Sequence, residues 1–205
     1  MNDFGALTVV SLVTVTMTVR ALWRLATRRA TSQKVATVAL VAWLVLAVPA
    51  VVTEVRHHQT QAAATSATRL VSGDPKAKAV CERWTANLVN TTRYAGWVTW
   101  GSNVAQLRAS TCADLGSWLR SDHRHPTLGQ VDALHVVAHE AVHVSGEHSE
   151  AKTECLAMEW DARVAEHLGA SPQVAEQMAQ TYRHEVYPHM PPEYRGDCAQ
   201  LLGDG

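Results

Sequence analysis

Two long apolar stretches without a charged residue stand near the start of the chain. Residues 4–19, "FGALTVVSLVTVTMTV", form the first, which reaches residue 23 if the Arg20 side chain extends to the membrane interface. Residues 35–53, "VATVALVAWLVLAVPAVVT", form the second. Because a helix needs about 20 apolar residues to cross the hydrocarbon core of a bilayer, this pattern predicts two transmembrane helices, over residues 4–23 and 35–53.

The connection between these two stretches is basic. Residues 20–34 contain arginines and a lysine but no acidic residue. Cytoplasmic loops are enriched in Lys and Arg, so the loop 20–34 is predicted to lie in the cytoplasm of a cell-membrane protein with two spans. Both ends of the hairpin then lie outside, and the C-terminal part of the chain is extracytoplasmic. The bilayer is the first predicted partner.

After residue 53 the hydrophobic pattern becomes that of a soluble domain. Residues 54–75 are rich in Ala, Thr, Ser and Gln and end in Gly-Asp-Pro, which predicts a linker. In residues 76–205 the apolar positions mostly follow helical spacing, and "YAGWVTW" at 94–100 alternates like a short strand. The predicted fold class is mainly α, with a transmembrane hairpin, a small helical domain and at most a short strand. We predict domain helices at residues 76–93, 111–120, 128–145, 149–168 and 172–187.

Overall charge narrows the classes of function. The chain has 205 residues, with 18 Lys and Arg against 19 Asp and Glu, so its net charge is close to zero. Domains that bind nucleic acid usually present a basic surface, so no nucleic-acid partner is predicted. The length suits one ordinary domain beside the membrane hairpin. The oligomeric state is not fixed by these features.

Cysteine usage supports the extracytoplasmic placement. All 4 cysteines, Cys81, Cys112, Cys155 and Cys198, follow the predicted spans. An even number in an oxidising compartment predicts two disulfides that stabilise the domain. Three pairings are possible, of which the sequential one is preferred. No Cys-x-x-Cys spacing occurs, so a four-thiolate zinc site is not predicted.

The strongest chemical motif is "HEAVH", which places His139, Glu140 and His143 on one predicted helix. Residues i and i+4 of a helix lie one turn apart on the same side, so both histidines can present a ring nitrogen to one zinc ion. Glu140 can then reach the fourth coordination position and take a proton from a water that the metal has acidified.

The flanking residues strengthen this interpretation. On the motif helix the apolar stripe lies nearly opposite the edge that carries His139 and His143, so these histidines are not predicted to be core residues. His135 lies on the same edge one turn earlier, where we interpret it as a solvated polar residue. On the next helix three acids project from the apolar side, where carboxylates are unfavourable unless something neutralises them. These acids are Glu150, Glu154 and Asp161.

"HEAVH" followed by "SEAKTE" resembles the gluzincin group of zinc metallopeptidases. The resemblance implies a zincin-like domain with a Zn²⁺ cofactor, in which Glu150 is the third ligand and Glu154 hydrogen-bonds a ligand histidine. A longer stretch, including "YPHMPPEYRGDC", is similar to uncharacterised actinobacterial membrane-anchored proteins and implies no substrate. The acid pair departs from the gluzincin pattern, since it ends in Glu rather than Asp and follows His143 closely.

Several assignments stay open. A hairpin about residues 146–149 brings Glu154 opposite the histidine pair as well as Glu150, so Glu154 is the alternative third ligand. A metzincin arrangement would use a third histidine after Gly146, but His148 comes one residue too early. For the group that stabilises the oxyanion, His184 is the first candidate among the C-terminal His and Tyr residues.

These features together predict a membrane-anchored, extracytoplasmic zinc-dependent metallohydrolase. A peptidase acting on a peptide or protein substrate is preferred. The alternative is a non-catalytic, zinc-stabilised surface scaffold or binding module. The fourth zinc position separates the two, because a water-filled position permits catalysis and a fourth protein ligand does not.

Overall fold

The structure is a computed structural model that describes residues 5–28, 32–83 and 94–203. The chain divides into two compact units, Met1–His58 and Gln59–Gly205. We therefore describe each unit by itself. The predicted boundary between the linker and the domain lay at residue 76, whereas the second unit begins at Gln59.

The first unit contains two helices that are long and apolar enough to cross a membrane. Helix α1 spans Ala6–Ala26 and helix α2 spans Gln33–Ser72. Threonine hydroxyls in α1 donate to carbonyls one turn earlier, such as Thr16 to Leu12 at 2.7 Å. Since these hydroxyls have partners within the helix, threonine does not prevent an apolar span. The orientation of the hairpin stays a prediction.

Helix α2 continues through most of the segment that was predicted as a linker. Its last turns belong to the second unit, where Ala64, Ala67 and Val71 are buried in the core. The spacing of three and four residues between them places all three on one side of the helix. Residues 54–72, which were predicted as a linker, are therefore helical in the structure. Small Ala and Thr side chains gave a low-complexity composition but also allow close packing.

The second unit contains a three-stranded sheet. Its strands are β1 (Lys78–Cys81), β2 (Gly96–Val98) and β3 (Val104–Leu107), in the order β1-β3-β2. Strand β1 runs parallel to β3, and β2 runs antiparallel to it. The predicted short strand at 94–100 is confirmed by β2. A helix was predicted at residues 76–93, but strand β1 occupies its start. Residues 84–93 of that prediction lie outside the described residues. Strand β3 was not predicted.

The remaining helices follow the predictions closely. Helix α4 (Leu128–Val144) begins with a capping box in which Thr127 accepts from the Gln130 amide, and α5 (Glu150–His167) begins at the cap Ser149. The helix predicted at 172–187 ends at Thr181 and continues as a π-helical turn, Tyr182–Val186. The other helices are α3 (Ala109–Trp118), α6 (Pro172–Thr181), α7 (Cys198–Leu202) and the short 3-10 turns Tyr187–His189 and Pro192–Tyr194.

Two disulfides connect the elements of the second unit. Cys81 of β1 is bonded to Cys112 of α3, and Cys155 of α5 is bonded to Cys198 of α7. The prediction of two disulfides is confirmed, with the preferred sequential pairing. The second bond ties the C-terminal segment back to α5, so residues 182–197 are held between two fixed points.

Candidate metal centre

Helices α4 and α5 pack against each other and bury both sides of α4. The predicted apolar stripe is buried in the core, with Leu134, Val137 and Ala141 each at most 2% exposed. The opposite edge is also buried, since His139 and His143 are each only 7% exposed. The histidines of the motif therefore face α5 and the C-terminal segment rather than solvent.

Three side chains converge at the carboxyl end of α4. The distance from His139 Nε2 to His143 Nε2 is 3.1 Å. Glu150 Oε2 lies 3.1 Å from His139 Nε2 and 3.3 Å from His143 Nε2. These three atoms form an almost equilateral triangle. They lie close enough together for the three residues to hold one metal ion.

The other ring nitrogens determine which atoms carry protons. His139 Nδ1 lies 2.9 Å from Glu154 Oε2, and His143 Nδ1 lies 2.8 Å from the carbonyl oxygen of Glu147. Because a carboxylate and a carbonyl only accept hydrogen bonds, each Nδ1 carries the proton of the neutral imidazole. In the neutral rings both Nε2 atoms are then unprotonated, and three lone pairs point at one position. Such a convergence is repulsive unless a cation or a proton lies between the atoms.

The size of the triangle fits zinc. Zinc binds His nitrogen and carboxylate oxygen at about 2.0–2.1 Å with tetrahedral geometry, which places two ligand atoms about 3.3 Å apart. The three observed separations are 3.1, 3.1 and 3.3 Å. Two imidazoles and one carboxylate are a ligand set that zinc favours.

A second group that could hold a metal ion consists of His135, His139 and Glu154. Its ligand atoms already have partners, because Tyr182 donates to Glu154 Oε1 at 2.6 Å. Glu154 Oε2 accepts from His139 Nδ1, and His135 Nδ1 is held by Asp161 at 3.0 Å. Glu154 is also 0% exposed, which leaves no position for water. The group with Glu150 is therefore the one with a position left open for a metal ion, and Glu154 lies behind it.

Glu140 lies beside the triangle with one oxygen unpaired. Its Oε2 atom is buried and has no hydrogen-bond partner among the described residues. Burial raises the pKa of Glu140 to about 7, while the imidazoles of His139 and His143 oppose this shift. A buried acceptor without a partner is rare in folded proteins unless a ligand or water completes it. The orphaned oxygen is consistent with a group bound at the triangle.

The triangle opens into a cavity of about 180 Å³. Its polar lining consists of Glu140 and the three residues of the triangle, and residues of strand β2 also line it. Aromatic side chains surround the remainder, namely Tyr94, Trp97, Trp100 and Tyr194. A position beside the metal ligands is thus accessible to water and to a small part of a substrate.

Gly96 of β2 lies against the general-base candidate. A Cβ atom on Gly96 would lie 2.7 Å from Glu140 Cγ and 2.8 Å from Glu140 Oε1. No real Cβ atom tolerates such distances, so a side chain at this position must displace the carboxylate. Glycine here allows β2 and α4 to approach each other closely.

Replacing Gly96 with Ala is expected to lower hydrolysis by about a hundredfold, because a shift of about 1 Å in a reacting group has an effect of that size. Zinc content should stay at the wild-type level, since the triangle does not contact Gly96. Gly129→Ala at the start of α4 is the control, because its Cβ would meet only the side chain of Asp114, at 3.2 Å. Equal activity of the Gly96 and Gly129 variants would contradict the claim that Gly96 positions the Glu140 carboxylate.

Two other predicted candidates lie away from the triangle. His148 is exposed, and its ring contacts Trp100 with the centroids 4.3 Å apart. It belongs to neither group of described residues that could hold a metal, so the metzincin arrangement does not form. His184 lies on the exposed side of the π-helical turn and does not line the cavity.

The structure brings together other residues that the sequence did not single out. His135, interpreted as solvated, is 2% exposed and contacts Asp161 and Glu154. Tyr194 was one of several C-terminal candidates, and it lines the cavity with its ring 5.6 Å from that of His139. His135 lies one helical turn before His139, and this spacing was the signal that could have identified His135. No comparable signal identified Tyr194.

No family model, curated protein or solved structure matches this chain. The resemblance to gluzincins therefore rests on the motif residues alone. The zincin-like fold stays a prediction beside the mainly helical architecture and the small sheet. Function has to be argued from the geometry of the metal centre and its cavity.

Proposed function

We propose that this protein is a zinc-dependent hydrolase that cleaves peptide bonds in an extracytoplasmic substrate. The observation that carries the proposal is the convergence of three possible ligand atoms, His139 Nε2, His143 Nε2 and Glu150 Oε2, at separations suited to tetrahedral zinc. The cavity beside them leaves the fourth coordination position for water. A zinc ion bound there supplies a Lewis acid that polarises a carbonyl and lowers the pKa of a coordinated water.

Glu140 is proposed as the general base. Its unpaired Oε2 atom can take a proton from the attacking water, because no other described residue competes for that oxygen. A pKa near 7 suits a group that accepts a proton and then returns it to the leaving amine. Burial beside β2 keeps bulk water from replacing the carboxylate in this role.

Strand β2 favours a peptide as the substrate. Among the described strands it stands at the edge of the sheet, paired with β3 on one side, and its residues line the cavity. An extended peptide can add to such an edge by main-chain hydrogen bonds, which position a carbonyl without requiring a particular side chain. The aromatic walls suit contact with an apolar side chain of the substrate.

Tyr194 is proposed as the group that stabilises the developing oxyanion. Burial and the nearby carboxylates of Glu150 and Glu140 raise the pKa of Tyr194, so its hydroxyl stays a donor at neutral pH. The hydroxyl of Tyr187 donates to the Gly196 carbonyl at 2.9 Å and accepts from its amide at 3.0 Å. These bonds close the loop that carries Tyr194 and hold it over the cavity.

Replacing Tyr194 with Phe is expected to lower kcat for peptide hydrolysis by about 10²–10³-fold, the range for loss of one oxyanion donor. KM and zinc content should change little, because the ring and its packing remain. Steady-state kinetics on a cleaved peptide measures both constants. Tyr94→Phe, at the second tyrosine that lines the cavity, is the control, and equal kcat values for the two variants would remove Tyr194 from the mechanism.

Membrane anchoring completes the proposal. The apolar helices α1 and α2 are suited to hold the protein in a membrane, with the basic loop 20–34 on the cytoplasmic side. The two disulfides of the second unit support an oxidising compartment for the hydrolase unit. The substrate is then a peptide or protein outside the cytoplasm.

The scaffold alternative requires a fourth protein ligand. Among the described residues, the metal-capable group around Glu150 contains no such residue, and His148 points to Trp100 instead. We test the proposal with the full-length protein in detergent, loaded with one equivalent of zinc and incubated with a library of unrelated peptides. Mass spectrometry should detect cleavage that a chelator stops and added zinc restores. Bound zinc without any cleavage would favour the scaffold.

A further inference from the structure

The segment that carries Tyr194 contributes no buried residue to the core. We call residues 183–197, which connect Tyr182 to Cys198, the strap. None of its residues is buried, and neither is any residue of the short helix α7 that follows it. Partly buried side chains, such as Tyr187, rest against the core instead. Segments with few buried contacts have low local stability, so the position of the strap depends on its other attachments.

The disulfide between Cys155 and Cys198 is the covalent attachment of the strap. It joins α7 to α5 across a sequence separation of 43 residues. Two hydrogen bonds between the Tyr187 hydroxyl and Gly196 also close the stretch around Tyr194. These bonds are exposed, so water competes for both partners and the bonds add little stability. The disulfide is therefore the main attachment that keeps Tyr194 at the cavity of the metal centre.

This disulfide can be reached from solvent. Both of its cysteines line a second cavity, of about 670 Å³, together with the exposed residues Arg183 and Asp197. Cys198 is half-buried and Cys155 is buried, so a thiol that enters the cavity meets the sulfur of Cys198 first. Accessible disulfides are the labile and regulatory ones, because exchange requires a thiolate to approach the sulfur atom.

The other disulfide lies in a different environment. Its two cysteines, Cys81 and Cys112, are 4% and 8% exposed and belong to the hydrophobic core. Strand β1, which carries Cys81, is also held by its pairing with β3. The core therefore protects this bond and keeps its two elements together. We expect it to stay closed under conditions that open the bond between Cys155 and Cys198.

We propose that the Cys155–Cys198 disulfide is a redox switch, which keeps the enzyme active by holding Tyr194 at the metal centre and is opened by a dithiol reductant. One thiolate of the dithiol attacks Cys198, which forms a mixed disulfide and releases Cys155 as a thiolate. The second thiolate of the dithiol then displaces Cys198. The dithiol leaves as a disulfide, and the two cysteines have gained its two electrons and two protons. This inference rests on the proposed function, in which Tyr194 stabilises the oxyanion.

Selective opening is the first test. Full-length protein in detergent is treated with increasing dithiothreitol, which is then removed by gel filtration without oxygen, and one equivalent of zinc is restored. Alkylation of an aliquot followed by mass spectrometry counts the open cysteines. Cys155 and Cys198 should be alkylated at dithiothreitol concentrations that leave Cys81 and Cys112 closed. Simultaneous opening of both pairs, or earlier opening of the core pair, would overturn the inference.

Trypsin reports release of the strap without relying on hydrolase activity. Proteolysis follows the population of the locally open chain, so cleavage after the exposed Arg195 should become at least about tenfold faster on reduction. Arg124, which is exposed in the loop between α3 and α4, is the matched control site and should be cleaved at an unchanged rate. Equal cleavage after Arg195 in the oxidised and reduced proteins would overturn the inference.

Hydrolysis is the third readout. Reduction should lower kcat of the wild type by about 10²–10³-fold, the range for loss of one oxyanion donor, and reoxidation should restore it. Tyr194→Phe should lose little more on reduction, because the disulfide acts through the hydroxyl that this variant lacks. Unchanged kcat of the reduced wild type would overturn the inference. An equal fall in both proteins would do the same, since the disulfide would then be a general structural bond.

Failure of the proposed function gives a different result. An oxidised wild type that binds zinc but cleaves no peptide loses the hydrolase assignment. Selective alkylation and the trypsin rate after Arg195 then still decide whether the disulfide holds the strap. Cleavage by the wild type that is insensitive to opening of the disulfide keeps the hydrolase assignment and removes the switch.

Discussion

Replacing Glu140 with Gln is expected to abolish most peptide hydrolysis while leaving zinc bound. The amide fills the same space against Gly96 but cannot accept a proton from water at neutral pH. General-base catalysis contributes about 10²–10⁴-fold to such reactions, and the rate should fall by that factor. Initial rates on a peptide identified from the library, together with zinc content by mass spectrometry, measure the two effects separately.

The zinc content is the internal control for this variant. Glu140 does not belong to the group of ligand residues, so a variant that loses both zinc and activity would point to misfolding rather than to the loss of a base. A second comparison comes from Glu147→Gln, since Glu147 lies in the turn between α4 and α5, where it bonds Lys152 at 2.9 Å. Activity of Glu140→Gln within tenfold of wild type would contradict its role as the base.

Replacing His143 with Ala is expected to remove zinc binding. His143 supplies one corner of the triangle, and its loss leaves Glu150 with a single imidazole partner. Outer partners of a ligand alter affinity by up to about a hundredfold, so loss of a ligand should weaken zinc binding by more than that. Hydrolysis should fall to background at the same time. Zinc titration of the full-length variant against wild type measures the effect.

His148→Ala is the matched control for the ligand variant. His148 is close in sequence and touches Trp100, yet it is exposed and lies outside the metal-capable groups of the described residues. Its replacement should leave both zinc affinity and hydrolysis at the wild-type level. If His148→Ala loses zinc as His143→Ala does, a metzincin-like ligand set must replace the one assigned here.

The sequence was sufficient for the parts of the site that follow helical geometry. The i, i+4 spacing of His139 and His143 places them together in the structure, and the acids on the inner side of α5 face them. The sequence left open which of Glu150 and Glu154 is the third ligand. The answer depends on the turn at residues 146–149, because this turn determines how far α5 is shifted along α4. In the structure Glu150 reaches Nε2 and Glu154 reaches Nδ1 of His139.

Other features depend on contacts between distant segments. His135 has the spacing of a solvated edge residue, but in the structure it is buried and contacts Asp161, 26 positions later. The strands β1 and β3 are four residues long, so their alternation is too short to outweigh a helical interpretation. The end of α2 has a linker-like composition, although several of its Ala residues are buried. The composition alone therefore did not indicate that this segment packs in the core.

The metal centre itself is tested most directly by zinc K-edge X-ray absorption on the full-length protein. One equivalent of zinc should remain bound through gel filtration. Its first shell should contain four nitrogen and oxygen atoms at about 2.0–2.1 Å, with the scattering signature of two imidazoles and no sulfur. The same spectrum from His143→Ala should show the loss of one imidazole or of the zinc. Wild-type protein that retains no zinc, or holds it through sulfur or a third imidazole, would contradict the assignment of His139, His143 and Glu150 as the site.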